Sequence, residues 1–182
     1  KIIRAMCHKV LDELGIDDED ANRVLTLASL VEKESPGDED VRKKVARVFL
    51  NRISDDSRTG GLLQSDATVA YIHGARSDLT TTKKERQSDS PYNTYKKKGL
   101  PPGPINAPSA GAVKAALDPT EGDWQFFVAT NPDTGETKFA DTYDEEDLQY
   151  LVRLDNDLRW LELTHDPEVR RLTTMMLELP AR

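Results

Sequence analysis

Apolar positions recur at helical spacing over most of the chain, and one short stretch is rich instead in strand-forming residues. Residues 2–14 carry Ile2, Ile3, Met6, Val10 and Leu14 and stop at Gly15, which predicts a packing helix within a leading segment of about residues 1–20. A second run sets Val24, Leu27, Leu30 and Val31 on one face, with Asp17 and Asp18 available as caps. It is expected to end near Ser35, because Pro36 disfavours helical geometry at the residue before it. Asp38 can cap a third helix with Val41, Val45, Val48 and Arg52 on one side and Ala46, Phe49 and Ile53 beside it. Only Ser35-Pro36-Gly37 separates these two helices, so the chain must turn abruptly there.

Residues 54–62 are polar and glycine-rich, a surface loop, and Ser65 or Asp66 can then cap a short helix bearing Val69 and Tyr71. The polar, mixed-charge stretch 73–90, including Thr80-Thr81-Thr82, reads as a solvated face. Four prolines and two glycines between Gly99 and Pro108 exclude helix and central strand and fix a stiff, extended loop. Ser109 or Gly111 opens a short helix over Val113, Ala116 and Leu117, closed by Asp118-Pro119. The one clear strand signal follows. Trp124 to Ala129 is rich in β-formers, Asn131-Pro132-Asp133-Thr134-Gly135 is turn chemistry, and Thr137 to Ala140 pairs back as a hairpin. From Tyr143 a long amphipathic helix carries Leu148, Leu151, Leu154, Leu158 and Leu161, and a short helix covers about 167–178.

One residue breaks the helical pattern. At 100° per residue Glu34 falls within about 20° of Leu27, near the middle of the apolar face, whereas Glu32 lies roughly 140° away on a side that suits a solvated group. An acid facing a core is costly to ionise, and the negative end of the helix dipole opposes ionisation as well. Both effects raise the pKa, as a general acid requires. The competing reading is a structural glutamate satisfied by an arginine or by backbone amides.

Composition bounds the partners. The chain has 182 residues, enough for one core with a helical extension, and its net charge of −8 argues against nucleic acid or an anionic membrane surface. A neutral polymer or a small molecule fits better. No apolar run approaches membrane-spanning length. The lone Cys7 leaves the redox compartment open, and the start at Lys1, without an initiator Met, is what an excised piece of a longer protein would have. Any export signal or anchor is then expected outside these residues.

The candidate chemistry is correspondingly narrow. His8, His73 and His165 lack ligand spacing, and there is no phosphate-binding loop or nucleophile elbow, so neither metal nor nucleotide cofactor is expected. What remains is Glu34 at a helix end, the Gln64-Ser65-Asp66 segment, and Tyr92-Asn93 with Tyr95 beside the proline loop. Aromatic faces stack on sugar rings and amides pair with hydroxyls, so the set suits a glycan. The plainer alternatives are ordinary capping for Gln64 and Asp66 and a linker for the proline stretch.

Five segments carry a resemblance: LASLVEKES, VARVFLNRI, LQSDATVAY, SPYNTYKKKGLPPGPINAPSAGAVKAALDP and FFVATNPDTGETKFADTY, spanning about residues 24–143. Together they resemble the catalytic domain of the endolytic murein transglycosylases, the MltG or YceG-like family. The resemblance implies a mainly helical, lysozyme-like α+β domain over 1–143 with a small β-hairpin, on which the C-terminal helical extension over 144–182 is expected to pack. The tail beyond about Tyr143 has no counterpart in the resemblance, and the extension there rests on the leucine pattern alone. The resemblance also implies a lyase that cuts the β-1,4 bond between N-acetylmuramic acid and N-acetylglucosamine in peptidoglycan and leaves a 1,6-anhydro end. Family members sit on the outer face of the bacterial cytoplasmic membrane through one helical anchor, which implies other cell-wall synthesis proteins as neighbours. The second acid of the family's Glu-Lys-Glu-Ser/Thr motif, its catalytic residue, falls on Glu34. Ser35, Gln64 and Tyr92-Asn93 resemble substrate-site positions of lytic transglycosylases, and Ser65, Asp66 and Tyr95 are grouped with them as binding residues. One departure is clear: many members carry Glu-His-Asn just after the hairpin, where this chain has Asp144-Glu145-Glu146-Asp147. A lysozyme-like hydrolase, with Asp66 as second carboxylate, and a non-catalytic glycan-binding or scaffold module are the rival expectations.

Overall fold

A computed structural model describes residues 17–35, 38–74, 81–131 and 136–142. All belong to the first of the two units into which the chain divides, Lys1–Thr142 and Tyr143–Arg182. The expected leading helix, the hairpin turn at 132–135, and the expected C-terminal extension lie outside the described residues.

Helix α1, Asp18–Glu34, begins where Asp17 accepts a hydrogen bond from the Asp20 amide at 2.9 Å. It ends one residue before the position the proline forbids. Its buried face is Ala21, Leu25, Leu27, Ala28, Leu30 and Val31. Helix α2, Glu39–Arg52, is capped by Asp38 as the sequence predicts and buries Val45, Ala46, Val48, Phe49 and Arg52. Helix α3 spans Asp66–His73, a 3₁₀ turn spans Glu85–Gln87, and helix α4 spans Ala110–Leu117. The Ser109 hydroxyl accepts from the Ala112 amide and so caps α4. Helices α1, α2 and α4 pack on one another around a single core.

Strands β1, Phe126–Asn131, and β2, Glu136–Ala140, form an antiparallel pair with Phe127 opposite Phe139 and an irregularity between Ala129 and Asn131. Phe127 meets the core edge-on at Phe49, with ring centroids 6.0 Å apart. The fold is therefore α+β and mainly helical, with one small sheet. The polar side of α2 secures the approach to that sheet. Arg47 donates to the Thr120 carbonyl at 2.9 Å, and Asn51 donates to the carbonyls of Gly122 and Trp124 at 2.9 and 2.8 Å.

The proline stretch is fixed by α1 rather than standing free of it. Asn22 donates to the Pro102 carbonyl, the Ile105 amide donates to the Ser29 hydroxyl at 3.0 Å, and Asn106 donates to the Ser29 carbonyl at 2.8 Å. Pro101, Gly103, Ile105 and Pro108 are buried. A chain that cannot make its own helix or sheet bonds satisfies its backbone on a neighbouring helix instead.

Candidate active site

Glu34 is the last residue of α1, and the loop leading into α3 is folded against it. The Ser65 hydroxyl donates to Glu34 Oε1 at 2.6 Å, and the Ala67 amide is oriented to favour the carboxylate. Glu34 keeps some exposed surface as a residue, but its carboxyl is densely surrounded by protein. That packing sets the cost of charging it. Burial is the largest influence and raises the pKa; the Ser65 hydroxyl pulls the other way, the charge of Asp66 raises it further, and Arg52 and the Ala67 amide lower it, leaving the pKa raised.

Glu32, two residues earlier, has the opposite environment. Burial alone would raise its pKa, but hydrogen bonds from the Ser109 hydroxyl and amide, with the charges of Arg42 and Lys33, outweigh it and the pKa is lowered. Glu32 is thus half-buried and tied to the start of α4, which corrects the expectation of a solvated side chain. Two carboxyls on one helix end are driven apart in acidity, and only Glu34 is driven toward the protonated form.

Asp66 is nearby in charge and holds three donors. Its Oδ1 accepts from the Thr81 hydroxyl and, at 2.8 Å, from the Tyr95 hydroxyl; its Oδ2 accepts from Arg86 at 3.2 Å. Arg86 also lies over the Tyr95 ring, 4.7 Å from its centroid. Burial and the Asp66 carboxylate push the Tyr95 phenol well above its ordinary pKa, so it stays a neutral donor. Thr81 is buried and Arg86 half-buried, so the stretch expected as a solvated face is partly the wall of this cluster. Charge-paired hydrogen bonding to Asp66 overrides its polar composition.

The other expected site residues divide. Gln64 is exposed beside Ser65 and has a left-handed backbone, φ +54°, the only such non-glycine among the described residues. Ser35 is buried next to Glu34, and its hydroxyl has no hydrogen-bond partner. Tyr92 packs on Tyr71 of α3 at 4.9 Å between centroids. Asn93 is fully buried: its amide donates to the carbonyls of Arg86 and Ser88, at 2.9 and 2.7 Å, and its carbonyl accepts from the Tyr95 amide at 3.1 Å. No polar atom of that side chain is left for a ligand in this arrangement; Asn93 shapes the loop that carries Thr94 and Tyr95.

Two open pockets, of about 490 and 290 Å³, lie against Asp20 and Arg23 near the start of α1. They reach along α1 as far as Thr26 and Leu27, about 10 Å short of Glu34 at 1.5 Å per residue, and Glu34 lines neither. Among the described residues there is no group of three or more metal-binding side chains, and no helix is long and apolar enough to cross a membrane.

The model of the YceG-like family matches residues 1–149. The chain belongs to the YceG-like family. It is 37% identical over 141 residues to the endolytic murein transglycosylase of Streptococcus pneumoniae strain D39, an alignment covering 75% of this chain and 24% of that protein. It is 40% identical over 124 residues to the endolytic murein transglycosylase of Bacillus subtilis strain 168, covering 68% of this chain and 32% of that one. A crystal structure of a YceG-like protein from Listeria monocytogenes superposes with a TM-score of 0.62 at 35% identity, covering 79% of this chain and 43% of the other. The chain thus spans about a quarter to a third of the length of these curated relatives.

Within this family member, three residues that shape the site carried no role in the sequence: Arg52, Thr68 and Thr94. Arg52 is buried on the apolar side of α2, donates to the carbonyls of Leu63 and Gln125, and stacks on Phe126 and Phe127. The available signal was a cationic residue in helical register with Val45 and Val48, since a buried arginine needs oxygens to hold it. Thr68 and Thr94 offered less, being β-branched polar residues inside quoted motifs.

Proposed function

We propose that this chain cleaves the glycan strands of peptidoglycan as a lytic transglycosylase, with Glu34 as the single acid and base. The protonated Glu34 donates to the glycosidic oxygen, which leaves with that proton as the 4-hydroxyl of N-acetylglucosamine, while the C1–O bond breaks through an oxocarbenium-like state. The resulting carboxylate takes the proton of the muramoyl C6 hydroxyl, whose oxygen bonds to C1 and closes the 1,6-anhydro ring. Glu34 ends protonated, ready for the next cut, and no water is consumed.

The observation that carries this reading is the contrast between two carboxyls. Glu34 is densely packed, raised in pKa and engaged by Ser65 and Ala67, whereas Asp66 already serves three donors. Most glycoside hydrolases use a second carboxylate to activate water or attack carbon. Asp66 instead anchors Thr81, Tyr95 and Arg86. The names of the Streptococcus and Bacillus relatives support the same reaction.

On this reading Gln64 and Tyr92 border the bound glycan, Ser35 backs Glu34 from inside, Asn93 and Tyr95 hold the wall, residues 1–143 form the catalytic unit and 144–182 an extension of it. The substrate places the active unit outside the cytoplasmic membrane, with other wall-building proteins as neighbours. The test is mass spectrometry of peptidoglycan digested by this chain. Fragments with 1,6-anhydromuramoyl ends are expected; hydrated reducing ends would make it a hydrolase, and glycan binding without fragments would make it a binding module.

A further inference from the structure

Helix α3 begins with an irregularity. Ser65 occupies its N-cap position yet makes no side-chain cap hydrogen bond. A serine there ordinarily accepts from the amide two or three residues on. Here its hydroxyl donates to Glu34 Oε1 at 2.6 Å, and the amide of Ala67, two residues on, favours the Glu34 anion. The Glu34 carboxyl, not the serine hydroxyl, is the acceptor at the start of α3.

The serine is itself held from both sides. Its amide donates to Thr94 Oγ1 at 3.1 Å, Thr68 Oγ1 donates to its carbonyl at 2.7 Å, and the two threonine oxygens are 2.8 Å apart. Each hydroxyl has one hydrogen, and that of Thr68 is used on Ser65, so Thr94 must donate to Thr68. The bonds then close a ring, Ser65 N–H to Thr94 to Thr68 to Ser65 carbonyl, among residues that are all buried. Upstream, the Gln64 amide donates to the Thr94 carbonyl at 3.1 Å and Arg52 donates to the Leu63 carbonyl. The placement of the Ser65 hydroxyl is set without any substrate.

We propose that Ser65 is a positioning residue for Glu34, holding Oε1 as a permanent acceptor so that Oε2 carries the proton exchanged with the glycan. This rests on reading Glu34 as the acid. In a neutral carboxyl the hydroxyl oxygen is the poorer acceptor, so a donor fixed on Oε1 keeps the proton on Oε2. Once the proton leaves, the same bond becomes charge-assisted and strengthens. The groups facing Glu34 then divide clearly: Ser65, the Ala67 amide and Arg52 favour the anion, burial and Asp66 oppose it, and Tyr95 is neutral with its hydroxyl on Asp66.

The experiment is a carboxyl-carbon NMR titration of Glu34 in this chain, labelled with ¹³C-glutamate, for the wild type, Ser65→Ala and Ser65→Thr. Losing a hydrogen bond to a charged group moves the midpoint by about one pH unit or more. The midpoint should therefore rise in Ser65→Ala and return toward wild type in Ser65→Thr, which keeps the hydroxyl. If Ser65→Ala does not fold, Ser65→Cys, with a weaker donor, should show the same rise. An unmoved midpoint in a folded variant overturns the proposal, and a raised KM with an unmoved midpoint overturns it by placing Ser65 on the glycan. The titration requires no turnover, so it is separate from the reading of Glu34 as acid, which fails by itself if Glu34→Gln stays active.

Discussion

Replacing Asn93 with alanine tests whether the Tyr-Asn segment binds substrate or builds the loop. The side chain is fully buried and makes three hydrogen bonds, two to carbonyls and one from an amide. At about 1 kcal/mol each, the three bonds together are worth about 3 kcal/mol, and more where the orphaned backbone groups stay dry. For a chain of this size each kcal/mol moves Tm by about 2–4 °C, so Asn93→Ala should melt about 6–12 °C lower. Asn93→Asp should be worse, because an oxygen would then face the carbonyls of Arg86 and Ser88. The assay is thermal melting by circular dichroism, paired with glycan cleavage well below the variant's Tm. Cleavage should recover substantially there. A variant that melts within about 1 °C of wild type but has lost cleavage would refute the structural assignment and put Asn93 on the glycan.

Three further outcomes follow from the same contacts. The pKa of Glu34 is higher folded than unfolded, so the stability it contributes is fully present below the unfolded value and is lost as pH rises through the folded one. Glu34→Gln should therefore melt above wild type at pH 7, with the gap closing toward pH 4; equal gaps at both pH values would contradict the raised pKa. Arg52→Met leaves the carbonyls of Leu63 and Gln125 without their buried donor and should cost about 3 kcal/mol or more, with the Glu34 titration moving upward; denaturant unfolding and NMR read both. Turnover should survive EDTA, because every proton in the proposed cycle belongs to Glu34 or the substrate; loss in EDTA that zinc restores would refute that cycle.

Local periodicity carried much of the architecture. Glu34 is legible because one acid in register with Leu27 is conspicuous, and Asp38 and Ser109 are legible because a cap acts within a few residues of itself. The hairpin was visible in its β-formers and turn residues. What could not be read were partners remote in sequence. Ser65 reaches Glu34 across 31 residues and Thr94 meets Thr68 across 26, and no periodicity encodes such a pairing. A serine before a helix ordinarily caps it, and only the tertiary position of Glu34 overrides that at Ser65. Glu32 looked solvated from its angle on α1, but the start of α4 packs over it and supplies Ser109. Thr81 and Arg86 are polar residues in a polar stretch, and only Asp66, remote in sequence, draws them into a cluster.

The most direct measurement sets Glu34→Gln against Glu32→Gln on polymeric peptidoglycan, counting anhydromuramoyl ends released per unit time with folding checked by circular dichroism. Removing a general acid that also serves as the base should cost at least the ~10²–10⁴ typical of such catalysis, so Glu34→Gln should be nearly inert while folded. Glu32→Gln weakens only the tie to Ser109 and should retain most of its turnover. An active Glu34→Gln beside an inactive, folded Glu32→Gln would contradict the account.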